Sequence, residues 1–510
     1  MNKYYKLLLI LLLSISLRVA AALYLGNHVI DLPGTTDQIS YHTLALRVLN
    51  GHGFSFDKAW WPMTAAGAPT AHWSYLYTLY LVIVYAVFGP NPLAARLIQA
   101  FIVGFLHPFL TYLLTKLMLK HDSPKNFGAK QLETFLGVWD GIRSLKNPKQ
   151  IIQLLKPRDN YSFSKKSNLK MAGPLSNVTA DFNSRLYQEI PLIAAGLTAV
   201  YTYFIYYDAT LMTEPFFIIG VLASLILTIL LANRLKRSET RTLAIMLGIA
   251  ISATVLLRQA FLIFLPILFG WFFLTTLRKY SWRSILSPIS TSLIILVMAI
   301  LPISIFNYAR FGQFVPINTN TGFAFYWANH PYYQNRFIPA SEMGNIYQDL
   351  VPSELHGLDE AALDRELLKR GISFVFDDPK RYVQLSLSRI PEYFKFWPDS
   401  SSSLISNISR VSSFALLLPF MLFGLLFPKI KISRSTGEQN HYHLPSAIIL
   451  LYLFITIYSA IHILSWAQIR YRLPVDAVLV PFSAIAIAKI GHRMRGFFIK
   501  KDALHDTTRA

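Results

Sequence analysis

Long apolar segments separated by polar loops run through the whole sequence. A membrane-spanning helix needs about 20 mostly apolar residues, and the pattern predicts ten such helices. They are expected at about 5–25, 93–118, 190–207, 215–232, 242–257, 260–277, 285–306, 411–427, 445–464 and 474–490. An eleventh apolar segment, 74–88, is shorter and ends at the turn sequence GPNP, so we expect it to lie at the membrane surface. The fold class that follows is an all-α polytopic membrane protein.

Basic residues are concentrated in the short loops between several of these segments. The loop NRLKRSETR at 233–241 carries four basic residues and one acid, and RKYSWR at 278–283 carries three basic residues and no acid. The loop PKIKISR at 428–434 is also basic. Cytoplasmic loops of membrane proteins carry such an excess. We therefore expect these loops inside, and the less basic loops 26–73 and 307–400 outside.

The polar insertion 120–188 carries twelve basic and five acidic residues, which predicts a cytoplasmic position. One crossing between the first outer loop and this insertion satisfies the rule, and 93–118 supplies it. The first expected region, 1–119, contains an outer catalytic loop at 26–73 and the interfacial segment 74–88, and the insertion 120–188 follows it. The later regions are central spans at 189–306, an outer loop or cap at 307–405 and C-terminal spans at 406–490. A basic cytoplasmic tail is expected at 491–510.

The composition agrees with a membrane protein. Hydrophobic residues make up 53% of the chain and charged residues only 15%, whereas soluble domains carry about 25% charged residues. The net charge of +21 follows from the basic loops, and no basic and aromatic stripe in a soluble module predicts nucleic-acid binding. There is no cysteine, which excludes disulfides, thiolate catalysis and zinc–thiolate sites.

The first polar stretch after the first span reads GTTDQISYHTLA, at 34–45. Thr35 or Thr36 is suited to cap a helix that runs over about 37–49 and ends at Asn50-Gly51. Asp37 and Tyr41 then lie on one face of that helix, one turn apart. Asp37 could serve chemistry at the outer face, or it could only complement the helix dipole in the first turn.

Two further acids and several arginines lie near predicted helix ends. Asp208 and Glu214, in YYDATLMTEP, flank the outer end of one predicted span. Ionisable groups at membrane depth are costly and point to function, although a first-turn Glu also has a capping role. Arg258 lies between two apolar segments, and Arg470 and Arg472 lie on a predicted outer turn, QIRYRLP. Guanidinium groups there suit an anionic partner such as a phosphate.

The loop NYARFGQFVPINTNTGFAFYWANHP, at 307–331, combines amide, hydroxyl and aromatic side chains. Such groups suit carbohydrate, and Asn320, Tyr326 and Asn329 are the candidates for substrate binding; the alternative is an ordinary turn-rich loop. Helices at about 358–370 and 379–390 are expected to form a cap. The scattered histidines show no metal-binding spacing in the first outer loop, so no cofactor is assigned and a divalent metal is left open.

The order of these motifs resembles that of the GT-C membrane glycosyltransferases. The motifs are Asp37 with Tyr41 after the first span, then LYTLYLVIVYAVFGPNPLAARLIQAF, DATLMTEPFF, LLRQAFLIFLP, the aromatic loop at 307–331 and QIRYRLP. The similarity is to the branch that includes protein O-mannosyltransferases and the lipid A aminoarabinose transferases. It covers most of the chain except the insertion.

The resemblance implies a bundle of about ten spanning helices with outer juxtamembrane helices and an outer loop domain. It also implies a transferase that moves a sugar from a polyprenyl-phosphate donor to an acceptor on the extracytoplasmic side of the plasma (inner) membrane. Asp37 matches the catalytic acid of the first outer loop. Glu214, with Asp208 as the competing choice, matches a second acid. Arg258, Arg470 and Arg472 match the arginines that hold the lipid phosphate.

The sequence departs from both named activities, so the sugar and the acceptor, whether lipid, glycan or protein, stay open. Gln38 stands where mannosyltransferase-type members often have a second acid, and Ser40 stands where the aminoarabinose branch has an arginine. AHWSYLY at 71–77 replaces an expected lysine and paired prolines. The rival interpretations are a lipid or solute transporter, a surface polysaccharide polymerase or ligase, and a non-catalytic membrane scaffold.

Overall fold

The structure is a computed structural model that describes residues 3–32, 34–119, 188–338, 346–398, 400, 402–428 and 446–507, with side chains as far as 494. The insertion predicted at 120–188 therefore lies outside the described residues, apart from its last position. Within the described residues the chain is helical, and only two isolated β-bridges occur, both in the first outer loop.

Eighteen α-helices are described. They are α1 (Lys3–Leu25), α2 (Asp37–Leu49), α3 (Tyr75–Phe88), α4 (Pro92–Met118), α5 (Gln188–Val200), α6 (Thr202–Asp208), α7 (Glu214–Arg234), α8 (Thr240–Leu257), α9 (Leu265–Leu277), α10 (Trp282–Phe311), α11 (Thr321–Asn329), α12 (Ile346–Asp349), α13 (Glu360–Asp377), α14 (Pro379–Tyr393), α15 (Leu404–Arg410), α16 (Leu416–Leu426), α17 (Ser446–Leu464) and α18 (Leu473–Thr507). Short 3₁₀ segments precede α9 and α18, at Gln259–Phe264 and Ile469–Arg472.

Within the described part of the chain, nine helical segments are long and apolar enough to cross a membrane. The bent pair α5 and α6 makes a tenth if it is counted as one span. This confirms the expected fold class, an all-α multi-pass membrane protein with about ten spanning helices. The shorter apolar helix α3 covers the segment that the sequence places at the membrane surface.

Local chemistry sets several helix starts near the first outer loop. Asn91 accepts a hydrogen bond from the backbone N–H of Ala94 at 3.0 Å, and Pro92 begins α4. The helix α2 runs over Asp37–Leu49, as predicted, but the expected threonine cap is wrong. Thr36 occupies the N-cap position, and its hydroxyl donates to Asp31 Oδ1 at 2.8 Å instead of accepting from the helix.

A bend of 54° separates α5 from α6. The break leaves the carbonyls of Thr198 and Ala199 without their usual helical donors, and the Arg18 guanidinium donates to both, at 3.3 and 3.2 Å. Arg18 Nε also lies 2.6 Å from Asp208 Oδ2. Arg18 therefore stabilises the bend and neutralises Asp208 at the same time.

Close helix contacts at small residues hold the bundle together, as is usual between membrane helices. A Cβ placed on Gly424 in α16 would lie 2.0 Å from the carbonyl oxygen of Phe482 in α18. A Cβ on Gly104 in α4 would lie 2.9 Å from the Cα of Ile15 in α1. Any larger side chain at Gly424 would force these two backbones apart.

Both ends of α3 are tied to the same end of the bundle. Ser74, at its start, donates to the carbonyl of Leu256 at 2.8 Å, near the last residue of α8. After its end, the N–H of Leu93 donates to Asn27 Oδ1 at 2.9 Å, just beyond the last residue of α1. The second contact belongs to the first turn of α4, which follows α3 directly. The position of α3 at the membrane surface stays a prediction.

The cap region follows α10 and has its own apolar core. Buried aromatic side chains from α11, including Phe323 and Trp327, pack with Leu363 and Leu367 of α13. The two predicted cap helices are present as α13 and α14, and α13 extends beyond the expected end. Asp359 caps α13 by accepting from the N–H of Ala362 at 2.8 Å.

Candidate functional site

The ion pairs at one end of the bundle join regions that are far apart in the sequence. Arg470 Nη1 lies 2.8 Å from Asp37 Oδ2, and Arg470 Nε lies 3.7 Å from Glu214 Oε1. Arg258 forms a second, shorter ion pair with the same Glu214 oxygen. The order in space is therefore Asp37, Arg470, Glu214, Arg258, with alternating charge. We call these four side chains the charge ladder.

Each member of the charge ladder is held by a helix end. Asp37 and Glu214 are the first residues of α2 and α7, where the helix dipole favours a carboxylate. Arg258 follows the last residue of α8 and donates from Nε to Thr213 Oγ1 at 3.0 Å. Arg470 lies in the 3₁₀ segment before α18 and donates to Gln468 Oε1 at 2.7 Å.

One tyrosine supports both arginines. The guanidinium carbons of Arg258 and Arg470 lie 5.0 and 5.3 Å from the ring centroid of Tyr471. Cation–π contacts of this kind are favourable where water is scarce. Tyr471 thereby keeps two positive groups on either side of one carboxylate oxygen, an arrangement that suits an anionic ligand.

The two carboxylates of the charge ladder differ in exposure. The Asp37 side chain keeps 27% of its surface exposed, whereas Glu214 keeps only 1%. Glu214 is therefore enclosed between the two arginines, and Asp37 is the carboxylate that a substrate can reach. Gly34 adds to this edge of the site, because its carbonyl accepts from Arg470 Nη1 at 3.3 Å.

Tyr41 and Trp73 form the wall beside the charge ladder. Their rings meet edge to face with centroids 5.6 Å apart, and the Tyr41 hydroxyl accepts from the N–H of Ser74 at 3.5 Å. Burial, and then the nearby Asp37 carboxylate, raise the pKa of Tyr41 well above its ordinary value, so the phenol stays protonated. The Trp73 indole N–H is buried and has no hydrogen-bond partner in the described part of the chain. It is therefore an unsatisfied donor in the wall beside the charge ladder.

Gln259 connects the charge ladder to the aromatic loop. It follows Arg258, and its amide nitrogen lies 2.5 Å from Asn320 Oδ1 and 2.9 Å from Thr321 Oγ1. Asn320 in turn donates to the carbonyl of His72 at 3.2 Å. The predicted substrate residue Asn320 is thus hydrogen-bonded to the residue that follows Arg258 in the sequence.

The other two candidates from that loop lie within the cap. The Tyr326 hydroxyl donates to the carbonyl of Leu350 at 2.7 Å. Asn329 Oδ1 accepts from the buried Arg389 at 2.9 Å. Both side chains are used to hold α11 against its neighbours, so their predicted role in substrate binding gains no support from these contacts and stays a prediction.

Asp208 and Arg472 are also committed to partners outside the charge ladder. Asp208 pairs with Arg18 at the helix bend, as described above. Arg472 Nε lies 2.9 Å from Asp476 Oδ1, both side chains are fully buried, and Arg472 also donates to the carbonyls of Tyr393 and Lys395. Of the competing acids, the geometry therefore brings Glu214 rather than Asp208 to Asp37, and of the two C-terminal arginines it brings Arg470.

Some residues of this region were not predicted. Gln259 and Tyr471 could have been noticed because they adjoin the predicted arginines in sequence. Glu360 could not, because it lies in a charged amphipathic helix far along the chain. Its buried carboxylate accepts from Thr64 at 2.5 Å, from the N–H of Ala71 at 2.7 Å and from Thr319, and so fastens the first outer loop to the cap.

The sequence left a divalent metal open, and the described residues form no evident metal-binding site. Among the described residues, no group of three or more histidine, aspartate or glutamate side chains is placed to hold a metal ion. The two carboxylates of the charge ladder are engaged by arginines.

The helices have the arrangement of the GT-C fold, the class of membrane glycosyltransferases that the motif order resembles. Neither a family model nor a curated protein matches the sequence.

Two solved structures show the likeness. The first is the archaeal oligosaccharyltransferase AglB from Archaeoglobus fulgidus, in complex with an inhibitory peptide and a dolichol-phosphate. It is 15% identical, with a TM-score of 0.53, over 98% of this chain and 52% of that chain. The second is an Archaeoglobus fulgidus oligosaccharyltransferase tethered to an acceptor peptide, 14% identical, with a TM-score of 0.50, over 97% of this chain and 51% of that chain. The chain thus spans about half the length of these proteins, and the likeness establishes the fold.

Proposed function

We propose that the protein is a membrane glycosyltransferase that moves a sugar from a polyprenyl-phosphate donor to an acceptor hydroxyl or amine. The observation that carries the proposal is the charge ladder at one end of a GT-C bundle. The reachable carboxylate Asp37 pairs there with Arg470, and Arg470 and Arg258 share the buried Glu214. That combination offers a base for the acceptor and cations for the leaving phosphate. The basic loops favour a position of this end on the extracytoplasmic side of the plasma (inner) membrane.

Asp37 is the proposed general base. As the acceptor oxygen or nitrogen forms a bond to the anomeric carbon, its proton passes to the Asp37 carboxylate. The bond between the anomeric carbon and the phosphate oxygen breaks, and its electron pair stays on that oxygen. The leaving group gains one negative charge while Asp37 loses one, so the total charge of the site is unchanged.

Arg258 and Arg470 are the proposed phosphate ligands. Charge-assisted, bidentate hydrogen bonds from arginine suit phosphate oxygens, and fixed cations stabilise the negative charge that develops on the leaving group. Without a donor, Arg470 is paired with Asp37, so the guanidinium occupies one oxygen of the carboxylate that has to receive the acceptor proton. We infer that a phosphate bound to Arg470 frees Asp37, so that the donor binds before the base is active.

The solved neighbours support the class of donor. One of them is described in complex with a dolichol-phosphate, which is a polyprenyl phosphate, and the other with an acceptor peptide. A lipid-phosphate donor is therefore the proposal that suits this fold, with the guanidinium groups of Arg258 and Arg470 available to bind the phosphate. The chain covers only about half the length of these oligosaccharyltransferases, so the likeness does not identify the acceptor. A lipid, a glycan and a protein all stay open.

The decisive variant is Asp37→Asn. The amide cannot take the acceptor proton, so we expect transfer to fall by roughly 10²–10⁴-fold, the usual contribution of a general base. The measurement is transfer of labelled sugar from polyprenyl-phosphate donors in membranes that contain equal amounts of each variant.

Asp31→Asn is the matched control, because Asp31 is an exposed carboxylate of the same loop that accepts from Thr36. This control should keep full transfer. Full transfer by Asp37→Asn would remove Asp37 from the chemistry and with it the proposed mechanism.

A further inference from the structure

The helix α14 in the cap carries an apolar stripe on its outer face. Val383 and Leu387 are 54% and 58% exposed, and Ile390 is also exposed. These positions are spaced four and three residues apart and so share one face of the helix. The side chains of Leu385, Ser386 and Arg389 are buried, and the exposed polar residues Lys380 and Gln384 lie along the edge of the stripe. A helix on the surface of a water-soluble cap normally presents polar side chains on its outer face.

Two hydrogen bonds fix the position of α14 relative to a predicted span. The Tyr382 hydroxyl donates to the carbonyl of Leu464 at 3.0 Å, and Arg389 donates to the carbonyl of Ile463 at 3.1 Å. Both carbonyls belong to the last turn of α17, which is one of the candidate membrane spans. The last turn of a span lies near the boundary of the hydrocarbon layer, so α14 lies at that boundary.

A mostly apolar cavity joins the end of α14 to α17. Phe394, four residues after Ile390, lines an open apolar cavity of about 440 Å³ together with Ile455 and Ile463 of α17. Phe396 and Trp397 follow and are each 42% exposed. Aromatic side chains of this kind are enriched where membrane proteins cross the interface.

We propose that α14 lies along the bilayer surface, with Val383, Leu387 and Ile390 inserted among the acyl chains of the leaflet at the site end of the bundle. The occupant of the stripe is the lipid bilayer itself, because α14 is tied to the last turn of a span, and Phe394, just after α14, lines a cavity with side chains of that span. Interfacial amphipathic helices bury their apolar face in this way. The cap is thereby anchored at two points, through α17 and through lipid, independently of the sugar-transfer proposal.

The absence of natural cysteine makes a direct test available. Val383→Cys and Leu387→Cys, each spin-labelled, are reconstituted into phosphatidylcholine–phosphatidylglycerol liposomes, and collision rates with oxygen and with a water-soluble nickel chelate are measured. Oxygen concentrates in the acyl region, so we expect the oxygen-to-nickel ratio at both positions to exceed several-fold that of Lys369→Cys, an exposed polar position on α13.

Three other outcomes overturn the proposal. A ratio equal to that of Lys369→Cys means that the stripe faces water. Shielding from both reagents means that protein covers it, and shielding that disappears on dilution identifies a second copy as the cover. The control is size-exclusion chromatography in detergent. A labelled variant is used only if its profile matches that of the unmodified protein, which shows that it is folded.

Discussion

The protein contains two kinds of arginine–carboxylate contact. They differ in the other hydrogen bonds that the guanidinium makes and in the exposure of the carboxylate. In the Arg18–Asp208 pair, the guanidinium also donates to Ser14 and to two carbonyls at the helix bend, and both side chains are almost fully buried. In the charge ladder, two arginines share Glu214, and Asp37 keeps an exposed edge. The first contact is saturated by the protein, whereas the second retains capacity for a ligand.

Arg472 is closer to the first kind, since it pairs with a buried carboxylate, but its Nη2 is buried without a hydrogen-bond partner in the described part of the chain. Besides Asp476, its guanidinium donates to two carbonyls and its guanidinium carbon lies 3.4 Å from the ring centroid of Phe414. Arg470, two residues earlier, belongs to the charge ladder. The comparison teaches that an arginine near the end of a membrane helix points to function when the carboxylate it pairs with stays exposed, as Asp37 does and Asp476 does not.

The largest expected effect is the loss of one partner from the saturated pair. Arg18→Met leaves the Asp208 carboxylate buried without a cation and two carbonyls without a donor, so we expect a loss of roughly 3–5 kcal/mol in stability. The measurement is the thermal unfolding temperature of the purified protein in detergent.

The double variant Arg18→Met/Asp208→Leu removes both charges and should recover a large part of that loss. A single variant as stable as the natural protein would show that the pair contributes nothing to the bend, and the contrast between the two kinds of contact would fail.

The next effect distinguishes Arg470 from Arg472. Arg470→Met removes a proposed phosphate ligand, so we expect donor kcat/KM to fall by roughly 10²–10³-fold, as for the loss of one charge-stabilising donor. Arg472→Met should lower the unfolding temperature but leave the donor saturation of the folded fraction unchanged. The measurements are sugar transfer against donor concentration, and thermal unfolding of the same preparations. Equal changes in donor saturation for both variants would place them in one site and contradict the comparison.

The helices were predictable because local signals define them. The apolar segments gave the spans, and the Asn50-Gly51 stop together with Asp37 in the first turn gave α2 with its observed bounds. The convergence of Asp37, Glu214, Arg258 and Arg470 followed from assigning their loops to one face of the membrane, and the structure brings these four side chains together.

The assignment of individual partners could not be predicted. Asp208 and Glu214 are equally polar and equally near a helix end, and only the bend after Val200 directs Asp208 to Arg18. Arg470 and Arg472 lie in a 3₁₀ segment, in which successive side chains are about 120° apart. The two arginines therefore point in different directions, and the sequence does not say which one faces Asp37.

The smallest expected effect concerns Asp364, a carboxylate whose hydrogen bond comes from backbone rather than from an arginine. It accepts from the N–H of Phe323 at 3.0 Å, and burial raises its pKa to about 7. In the unfolded chain the pKa is near its ordinary value of 3.8. Between about pH 4 and pH 7 the folded state thus binds more protons than the unfolded state, and stability falls as the pH rises through this range.

Asp364→Asn should remove this dependence, because the amide does not ionise and its oxygen can still accept from the same N–H. The measurement is the unfolding temperature at several pH values between 4 and 8 for both proteins, with Asp349→Asn as a control carboxylate of the same cap. A slope that survives in Asp364→Asn would assign the titration to another group. It would also mean that backbone N–H groups stabilise the ionised Asp364 carboxylate as well as a guanidinium stabilises Asp37 or Asp208.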